Sequence, residues 1–292
     1  MPAQIIDGQK IAARIQAELV NEIRLLKKQT GTVPGLVNLI ATDSAGSVAY
    51  ANAQKRCADK IGIHYRLIRL GTHVSQDELI AQIRQCNNDP QIHGIMLHKP
   101  LPPDCEHHLS AHAILPLKDV EGIHPENMGQ IFSVRPAIVP CTAAAVMECL
   151  DSTGFSYYGK EAVVVGASEI VGLPLSLMLL QRLATVTVCH IATSESGRLS
   201  EHVSRADLLI VAVGKPGLIK GEWIKPGAVV LDVGINNVNG RIMGDVEFHP
   251  AQQRASFITP VPGGIGPVTV MVLMRNGVRA CARQKKIALN QV

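Results

Sequence analysis

A glycine-containing turn between an apolar strand and a helix is the first place in the sequence suited to binding a ligand. Residues 163–174 read VVVGASEIVGLP, with Gly166 at the turn and Gly172 where the helix begins. Gly166 lets the chain turn, and Gly172 lets the helix pack closely on the strand, so the N-terminal amides of the helix can bind a pyrophosphate. Ser168 stands where a G-x-G-x-x-G fingerprint has its second glycine. An ordinary strand–helix turn without a ligand is therefore the alternative.

A second loop with similar properties follows another apolar strand. Residues 213–216 read VGKP, and ligands of doubly wound sheets bind at the carboxyl ends of the strands. Two such loops in one domain favour a dinucleotide. The segment 189–194, CHIATS, lacks the Asp or Glu that usually binds the ribose, and it also lacks an Arg. It therefore neither excludes a 2′-phosphate nor provides a cation to hold one.

Helix and strand patterns alternate around these loops, which predicts parallel sheets covered by helices. In the first part of the chain, apolar residues recur at helical spacing from Ile11 to Leu26, and Ser75 and Glu78 form a capping box at the start of a helix. The strands predicted there are 35–42, 64–70 and 94–98, with a helix over about 47–61. Beyond a Gly- and Pro-rich segment, 122–140, the predicted strands are 161–168, 184–190, 206–214 and 227–234, with helices over about 170–183 and 268–283. This pattern predicts an α/β protein of two domains, with the last helix packing back across the first domain.

Composition excludes several classes of protein. Of the 292 residues, 47% are hydrophobic and 18% charged, which is enough apolar material for large cores. With a net charge of +4, only 3% aromatic residues and no long basic run, nucleic acid is not an expected partner. The longest apolar stretches, such as 208–213, are too short to span a membrane, and the N-terminus lacks a secretion signal. The seven cysteines include no C-x-x-C pair, which argues against a disulfide framework or a zinc site and favours a cytoplasmic protein.

Ordered motifs run from Ile6 almost to the end of the chain. They are PLPPD (100–104), KDVEGIHPENMG (118–129), PCT (140–142), GASEIVGLP (166–174), ADLLIVAVGKPG (206–217), DVGIN (232–236), GDV (244–246) and TPVPGGIGPVT (259–269). Together they resemble the bifunctional methylenetetrahydrofolate dehydrogenase/methenyltetrahydrofolate cyclohydrolase family, the FolD type.

The resemblance implies a folate-binding catalytic domain and a Rossmann-like NAD(P)-binding domain with a cleft between them. Residues 1–122 plus a C-terminal helix of about 270–292 would form the first, and residues 140–268 the second. It implies oxidation of 5,10-methylenetetrahydrofolate by NADP, with NAD possible, followed by hydrolysis of the methenyl product to 10-formyltetrahydrofolate. It further implies a homodimer formed through the cofactor domain, and no metal.

Site residues follow from the same resemblance. The catalytic group comprises Tyr50, Gln54, His98 and Glu121. The folate-binding group comprises Tyr50, His98, Pro100, Leu101, Glu121, Pro262, Gly263 and Gly264. The cofactor-binding group comprises Thr142, Gly166, Ala167, Ser168, Ile170, Val171, Gly172, Val213, Gly214, Lys215 and Ile235.

Three of the catalytic positions depart from the family pattern. The lysine that serves as the acid/base centre of S-x-x-Y-x-x-x-K is replaced by Gln54, the glutamine of Q-x-P-L-P by His98, and the pterin-contacting aspartate by Glu121. Lys55 is not a substitute, because one residue further along a helix points about 100° away. We therefore expect weakened cyclohydrolase activity.

Two interpretations of these replacements compete. In the first, the enzyme is retuned and His98, which titrates near neutrality, takes over acid/base work. In the second, the chain is a catalytically silent paralogue that binds folate or nucleotide. A shikimate- or amino-acid-type dehydrogenase is a third possibility, disfavoured by the KDVEG and PGGIGPVT motifs.

Other polar residues receive simpler interpretations. NADP-preferring relatives carry Arg at the positions of Ala167 or Ile191, so we expect weak discrimination against NAD unless Arg182 or Arg198 compensates. His107, His108 and His112 invite a metal site, but a surface helix explains them better. Asp7 and Asp43 are expected in turns or helix caps.

Overall fold

The computed structural model describes residues 2–133 and 136–289, which divide into two compact units. Residues 2–13 and 142–269 form what we call the six-stranded unit, and residues 14–133, 136–141 and 270–289 form the three-stranded unit. The strands are β1 Gln4–Ile5, β2 Gly35–Ile40, β3 His64–Arg69, β4 Gly94–Leu97, β5 Glu161–Val165, β6 Thr185–Cys189, β7 Leu208–Val211, β8 Val229–Asp232, β9 Asn236–Val238, β10 Arg241–Met243 and β11 Phe257–Ile258. The helices are α1 Gly8–Thr30, α2 Ala45–Ile61, α3 Gln76–Asn88, α4 His107–Ala113, α5 Pro125–Gln130, α6 Cys141–Asp151, α7 Gly172–Gln181, α8 Ile191–Glu195, α9 Leu199–Arg205, α10 Phe248–Gln252 and α11 Ile265–Gln284.

The three-stranded unit contains a parallel sheet in the order β3-β2-β4. Every residue of the central strand β2 is buried, and its side chains pack with α3 in one apolar core that includes Leu39, Ile83 and Leu97. The predicted capping box is present at the start of α3, where Ser75 and Glu78 bond each other's backbone amides. The sheet therefore presents the carboxyl ends of β2 and β4 side by side.

The terminal helix α11 packs on the same unit. Asn276 donates to the backbone oxygens of Val120 (2.9 Å) and Val139 (3.1 Å), and a side chain at Gly277 would clash with Leu36 of β2. These contacts hold Val120, Val139 and the helix against the sheet.

The six-stranded unit contains an all-parallel sheet in the order β1-β11-β8-β7-β5-β6, with a separate β9–β10 hairpin. Strands β5 and β7 are neighbours in this sheet although β6 lies between them in sequence. The chain therefore adds β6 on one side of β5 and β7 on the other. The loops that follow β5 and β7 lie next to each other at the carboxyl-terminal edge of the sheet.

The two units differ from the predicted domains at the start of the chain. The first residues belong to the six-stranded unit because β1 pairs with β11 and the Gly8 amide bonds the Gly263 carbonyl (3.0 Å). The described residues of the Gly- and Pro-rich segment 122–140 include α5 and belong to the three-stranded unit. Residues 290–292 of the predicted C-terminal segment lie outside the described residues. Within the described ranges, no helix is long and apolar enough to cross a membrane.

Candidate active site

The turn after β5 has the geometry that its glycines predicted. Gly166 has φ +124°, and a Cβ there would lie 2.3 Å from the Ala212 carbonyl oxygen. A Cβ on Gly172 would lie 1.8 Å from the Gly166 oxygen, so neither position tolerates a side chain. The Ser168 hydroxyl accepts from the Val171 amide (3.2 Å), three residues further along the same turn. The backbone here forms a close-fitting cradle at the start of α7.

Exposure separates the predicted cofactor residues into two groups. Ala167, Ser168, Ile170, Gly214, Lys215 and Ile235 are exposed, whereas Gly166, Val171 and Gly172 are buried and Thr142 and Val213 are half-buried. The exposed group lies on the loops after β5, β7 and β8, which are neighbouring strands. The buried residues Gly166, Val171 and Gly172 form the inner part of the turn between β5 and α7.

The loop after β7 is held by hydrogen bonds to the buried carboxylate of Asp245, a residue that the sequence analysis did not identify. Asp245 Oδ2 accepts from the amides of Val213 (2.8 Å) and Gly214 (2.9 Å), and its Oδ1 accepts from the Asn236 side chain (2.8 Å). Asp232 in turn accepts from the amides of Asp245 and Val246, and burial raises the pKa of Asp232 to about 6. In the sequence, the GDV motif (244–246) was the only sign that Asp245 matters, and its spacing did not indicate which loop this carboxylate supports.

Ala167 and Ile191, the two positions where the resemblance implies an arginine in NADP-preferring relatives, are both exposed. Arg182 follows the C-terminal end of α7, where it pairs with Asp151 (3.3 Å) and stacks on Tyr157. The turn lies at the other end of that helix, about 15 Å away. Arg182 therefore does not fill the gap, and Arg198 is paired with Glu201 (3.2 Å).

In the three-stranded unit, Gln54 is fully buried on α2 and held by two other polar side chains. Its Oε1 accepts from Asn38 Nδ2 (3.0 Å) and from the Tyr65 hydroxyl (3.0 Å). Asn38 Nδ2 also donates to the Tyr65 hydroxyl (2.8 Å), which closes a triangle. Gln54 Nε2 is buried without an acceptor at hydrogen-bond geometry among the described residues. Sequence reasoning found Gln54 but missed both partners.

Tyr50 and His98 lie beside this triangle. Tyr50 is one helical turn before Gln54 and 42% exposed, and its ring centroid is 5.9 Å from that of His98 at the end of β4. Burial raises the pKa of Tyr50, an effect that the neighbouring Gln54 amide partly offsets. Burial lowers the pKa of His98, and its buried Nδ1 has no hydrogen-bond partner in the described residues. His98 is thus mainly neutral at physiological pH.

Glu121 completes the group of predicted catalytic residues in this unit. Its Oε2 accepts from the backbone amide of Leu97 (3.0 Å), which places the carboxyl beside the end of β4. Burial raises the pKa of Glu121 to about 7, the Leu97 hydrogen bond opposes this rise, and the nearby charge of Asp119 adds to it. A carboxyl with this pKa changes its charge within the physiological range.

The remaining predicted folate-binding residues lie in both units. Pro100 follows a cis peptide bond after Lys99, and Leu101 is half-buried against the α3 core of the three-stranded unit. Pro262, Gly263 and Gly264 lie in the six-stranded unit, where the Gly263 carbonyl is bonded by Gly8.

Lys55 and Asp7 lie as predicted, whereas Ser44, and not Asp43, is the N-cap residue of α2. Lys55 is exposed and pairs with Asp59 (2.9 Å), and Asp7 accepts from the amides of Gln9 and Lys10 at the start of α1. Asp43 is exposed in the loop before α2. His108 stacks edge-on against His112, and in the described part of the chain no three His, Cys, Asp or Glu side chains are close enough to hold a metal ion.

Comparison with known proteins gives matches over nearly the whole chain. The family model for the tetrahydrofolate dehydrogenase/cyclohydrolase catalytic domain matches residues 6–121, and the model for the NAD(P)-binding domain of the same family matches residues 140–285. The Bifunctional protein FolD 2 of Myxococcus xanthus is 45% identical over 97% of this chain and 97% of its own length.

Solved structures agree. The Trypanosoma brucei methylenetetrahydrofolate dehydrogenase-cyclohydrolase (FolD), solved with NADP and an inhibitor, is 39% identical with a TM-score of 0.94, covering 98% of this chain and 99% of its own. The FolD enzyme of Campylobacter jejuni is 37% identical with a TM-score of 0.92, covering 97% and 99%. This chain therefore belongs to the tetrahydrofolate dehydrogenase/cyclohydrolase family.

Proposed function

We propose that the protein is a working methylenetetrahydrofolate dehydrogenase of one-carbon metabolism whose cyclohydrolase step is weakened. Its family carries out both steps, oxidation to methenyltetrahydrofolate with NADP and hydrolysis to 10-formyltetrahydrofolate. Membership of this family removes the shikimate- or amino-acid-type alternative.

The observation that carries the proposal is the contrast between an intact cofactor cradle and an altered proton-transfer site. At Gly166 and Gly172 a Cβ would clash with the backbone oxygens of Ala212 and Gly166, so strand and helix pack as tightly as a dinucleotide-binding turn requires. When bound, the nicotinamide of NADP accepts a hydride from the methylene carbon of the folate. This step depends mostly on alignment, whereas the addition of water needs a group that moves protons.

Within the three-stranded unit, each of four side chains has a role. Tyr50 and the Gln54 amide orient the folate, and Glu121 accepts hydrogen bonds from its pterin. His98, neutral and with a free Nδ1, is the candidate acceptor for a proton from water. Gln54 cannot supply that function, since an amide neither takes up nor releases a proton at a working pH.

Two further properties complete the proposal. NADP is the cofactor, with weak discrimination against NAD, because Ala167 and Ile191 leave the 2′-phosphate without the arginine fork that typically contributes about 1.5–3 kcal/mol. The protein is a cytoplasmic homodimer formed through the six-stranded unit.

The deciding experiment incubates purified protein with methylenetetrahydrofolate and each nicotinamide cofactor, and follows the reduced cofactor and methenyltetrahydrofolate separately. We expect reduction of NADP with accumulation of the methenyl product, which an intact bifunctional enzyme hydrolyses. Absence of reduction with both cofactors over a range of pH would overturn the proposal and favour the silent paralogue. Efficient conversion to 10-formyltetrahydrofolate would contradict only the weakened second step.

A further inference from the structure

We propose that Asn38 and Tyr65 are positioning residues that hold the Gln54 carboxamide by its oxygen, so that its nitrogen donates a hydrogen bond to the bound folate. This inference rests on the proposed function, because it assumes a folate beside Tyr50 and His98. It assigns a role to two residues outside the predicted site.

The first support is the cost of burying Asn38. It lies in the middle of β2, in the otherwise apolar strand GLVNLI, between Leu67 of β3 and Met96 of β4 in the sheet register. The residue is completely buried, and a buried amide is unfavourable unless it is hydrogen-bonded. Both hydrogens of its Nδ2 are used, one on Gln54 and one on Tyr65. Asn38 Oδ1 has no partner among the described residues, so the hydrogen bonds that the side chain makes there are those to Gln54 and Tyr65.

The second support is the convergence of donors on one atom. The Tyr65 hydroxyl accepts from Asn38 and passes its own hydrogen to Gln54 Oε1, which therefore receives two hydrogen bonds. Burial raises the pKa of Tyr65 well above its ordinary value, so the hydroxyl keeps the proton that it donates. The triangle contains no charge and fixes one end of the Gln54 side chain.

The third support is the free end of the amide. Gln54 Nε2 is buried without an acceptor at full hydrogen-bond geometry in the described residues; the Gln54 amide lies close enough to the partly exposed Tyr50 to lower the pKa of its hydroxyl. His98 Nδ1, beside the same tyrosine, is also buried without a partner. Buried polar atoms without partners are rare in folded proteins, and a ligand that satisfies them explains both. Reduced folates carry carbonyl and ring nitrogen acceptors that suit an amide donor.

The test is a double-mutant cycle between Tyr65→Phe and Gln54→Leu, repeated with Asn38→Leu. We measure kcat and KM for methylenetetrahydrofolate, KM for NADP, and the affinity for tetrahydrofolate by calorimetry. Tyr65→Phe alone should weaken folate affinity and kcat/KM about fivefold, the size expected for loss of one positioning hydrogen bond. In the Gln54→Leu background the same change should have almost no effect, and KM for NADP should stay the same throughout.

A matched control removes a tyrosine hydroxyl elsewhere. Tyr157 in the six-stranded unit bonds Asp151, and Tyr157→Phe should leave the folate parameters unchanged. Equal effects of Tyr65→Phe with and without Gln54 would show a merely structural role and overturn the inference, as would no effect at all. If Tyr65→Phe lowers the melting temperature, the Asn38→Leu/Gln54→Leu pair provides the second cycle, and the Asn38→Leu/Tyr65→Phe/Gln54→Leu triple variant, which leaves no member of the triangle unpaired, is its reference for stability.

The calorimetric readout separates the inference from the proposed function. A protein that reduces no cofactor but binds tetrahydrofolate in a Tyr65-dependent, Gln54-dependent manner supports the inference and contradicts the enzyme. A protein that reduces NADP but shows no energetic coupling between Tyr65 and Gln54 supports the proposed function and contradicts the inference.

Discussion

At the scale of single residues, we expect Gln54, which stands where the family pattern has a lysine, to separate two chemical steps that the proposed function otherwise combines. General acid–base help is typically worth about 100–10,000-fold in rate, and an amide supplies none of it. Hydride transfer requires mainly that two carbons be aligned, so it is less affected. The chemistry of one side chain thus predicts which step is lost first.

Restoring the lysine with Gln54→Lys should therefore raise hydrolysis of methenyltetrahydrofolate relative to reduction of NADP. The Tyr65 oxygen lies 3.0 Å from Gln54 Oε1 and can accept a hydrogen bond from an ammonium group at this position. Burial there lowers the pKa of a lysine toward neutrality, as a general base requires. The measurement is the ratio of the two activities in parent and variant.

His98→Gln, alone and combined with Gln54→Lys, is the companion variant. The pair should restore more hydrolysis than Gln54→Lys by itself, because His98 competes for space and charge. If the parent hydrolyses the methenyl compound well, His98→Gln alone becomes decisive: loss of that activity identifies His98 as the replacement base. An unchanged rate would show that our account of this site is wrong.

Glu121 predicts a pH dependence. With a pKa raised to about 7 by burial, its carboxyl is neutral below that pH and ionised above it. Because the ionised form accepts hydrogen bonds from the pterin, kcat/KM for methylenetetrahydrofolate should rise as the pH increases from about 6 to 8. Glu121→Gln, uncharged at every pH, should remove this rise and lower kcat/KM. A parent profile that is flat or falls over this range would contradict the assignment.

At the scale of elements, the parts that could be predicted are those fixed by local pattern. The predicted strands over 35–42 and 161–168 are present as the slightly shorter β2 and β5, and the capping box opens α3 at its predicted residue. These elements depend on their own apolar periodicity and caps, which are visible in a single sequence.

What could not be predicted depends on contacts distant in sequence. Strand β1 has two residues and its only strand partner among the described residues is β11, about 250 residues further along the chain. Asp245 gives no sign of its partners Val213 and Gly214, which are over 30 positions away. The Asn38–Tyr65–Gln54 triangle likewise joins three elements, β2, β3 and α2. The apolar pattern of β2 alone predicts an apolar side chain at position 38, and it gives no sign of the two partners that Asn38 has.

At the scale of the whole molecule, the sheet edge at β6 in the six-stranded unit has no neighbouring strand among the described residues. Strand β6 is the last in its sheet and bonds only β5 among the described strands. Helix α7, which packs against β6, exposes Leu173 and Leu180, and Leu183 follows it on the surface. Exposed leucines next to an open sheet edge are typical of a protein–protein interface.

Leu180→Asp should therefore shift the protein from dimer toward monomer, because a carboxylate desolvated in an apolar interface is strongly unfavourable. The dissociation constant, measured by sedimentation equilibrium, should rise at least about tenfold, as expected when a central interface residue is lost. Leu115→Asp is the matched control, since Leu115 is 48% exposed against 49% for Leu180 but lies in the three-stranded unit. A dimer that weakens equally in both variants, or only in Leu115→Asp, would place the interface elsewhere. A parent that sediments as a monomer at micromolar concentration would remove the dimer from the proposal while leaving the folate chemistry of the single chain intact.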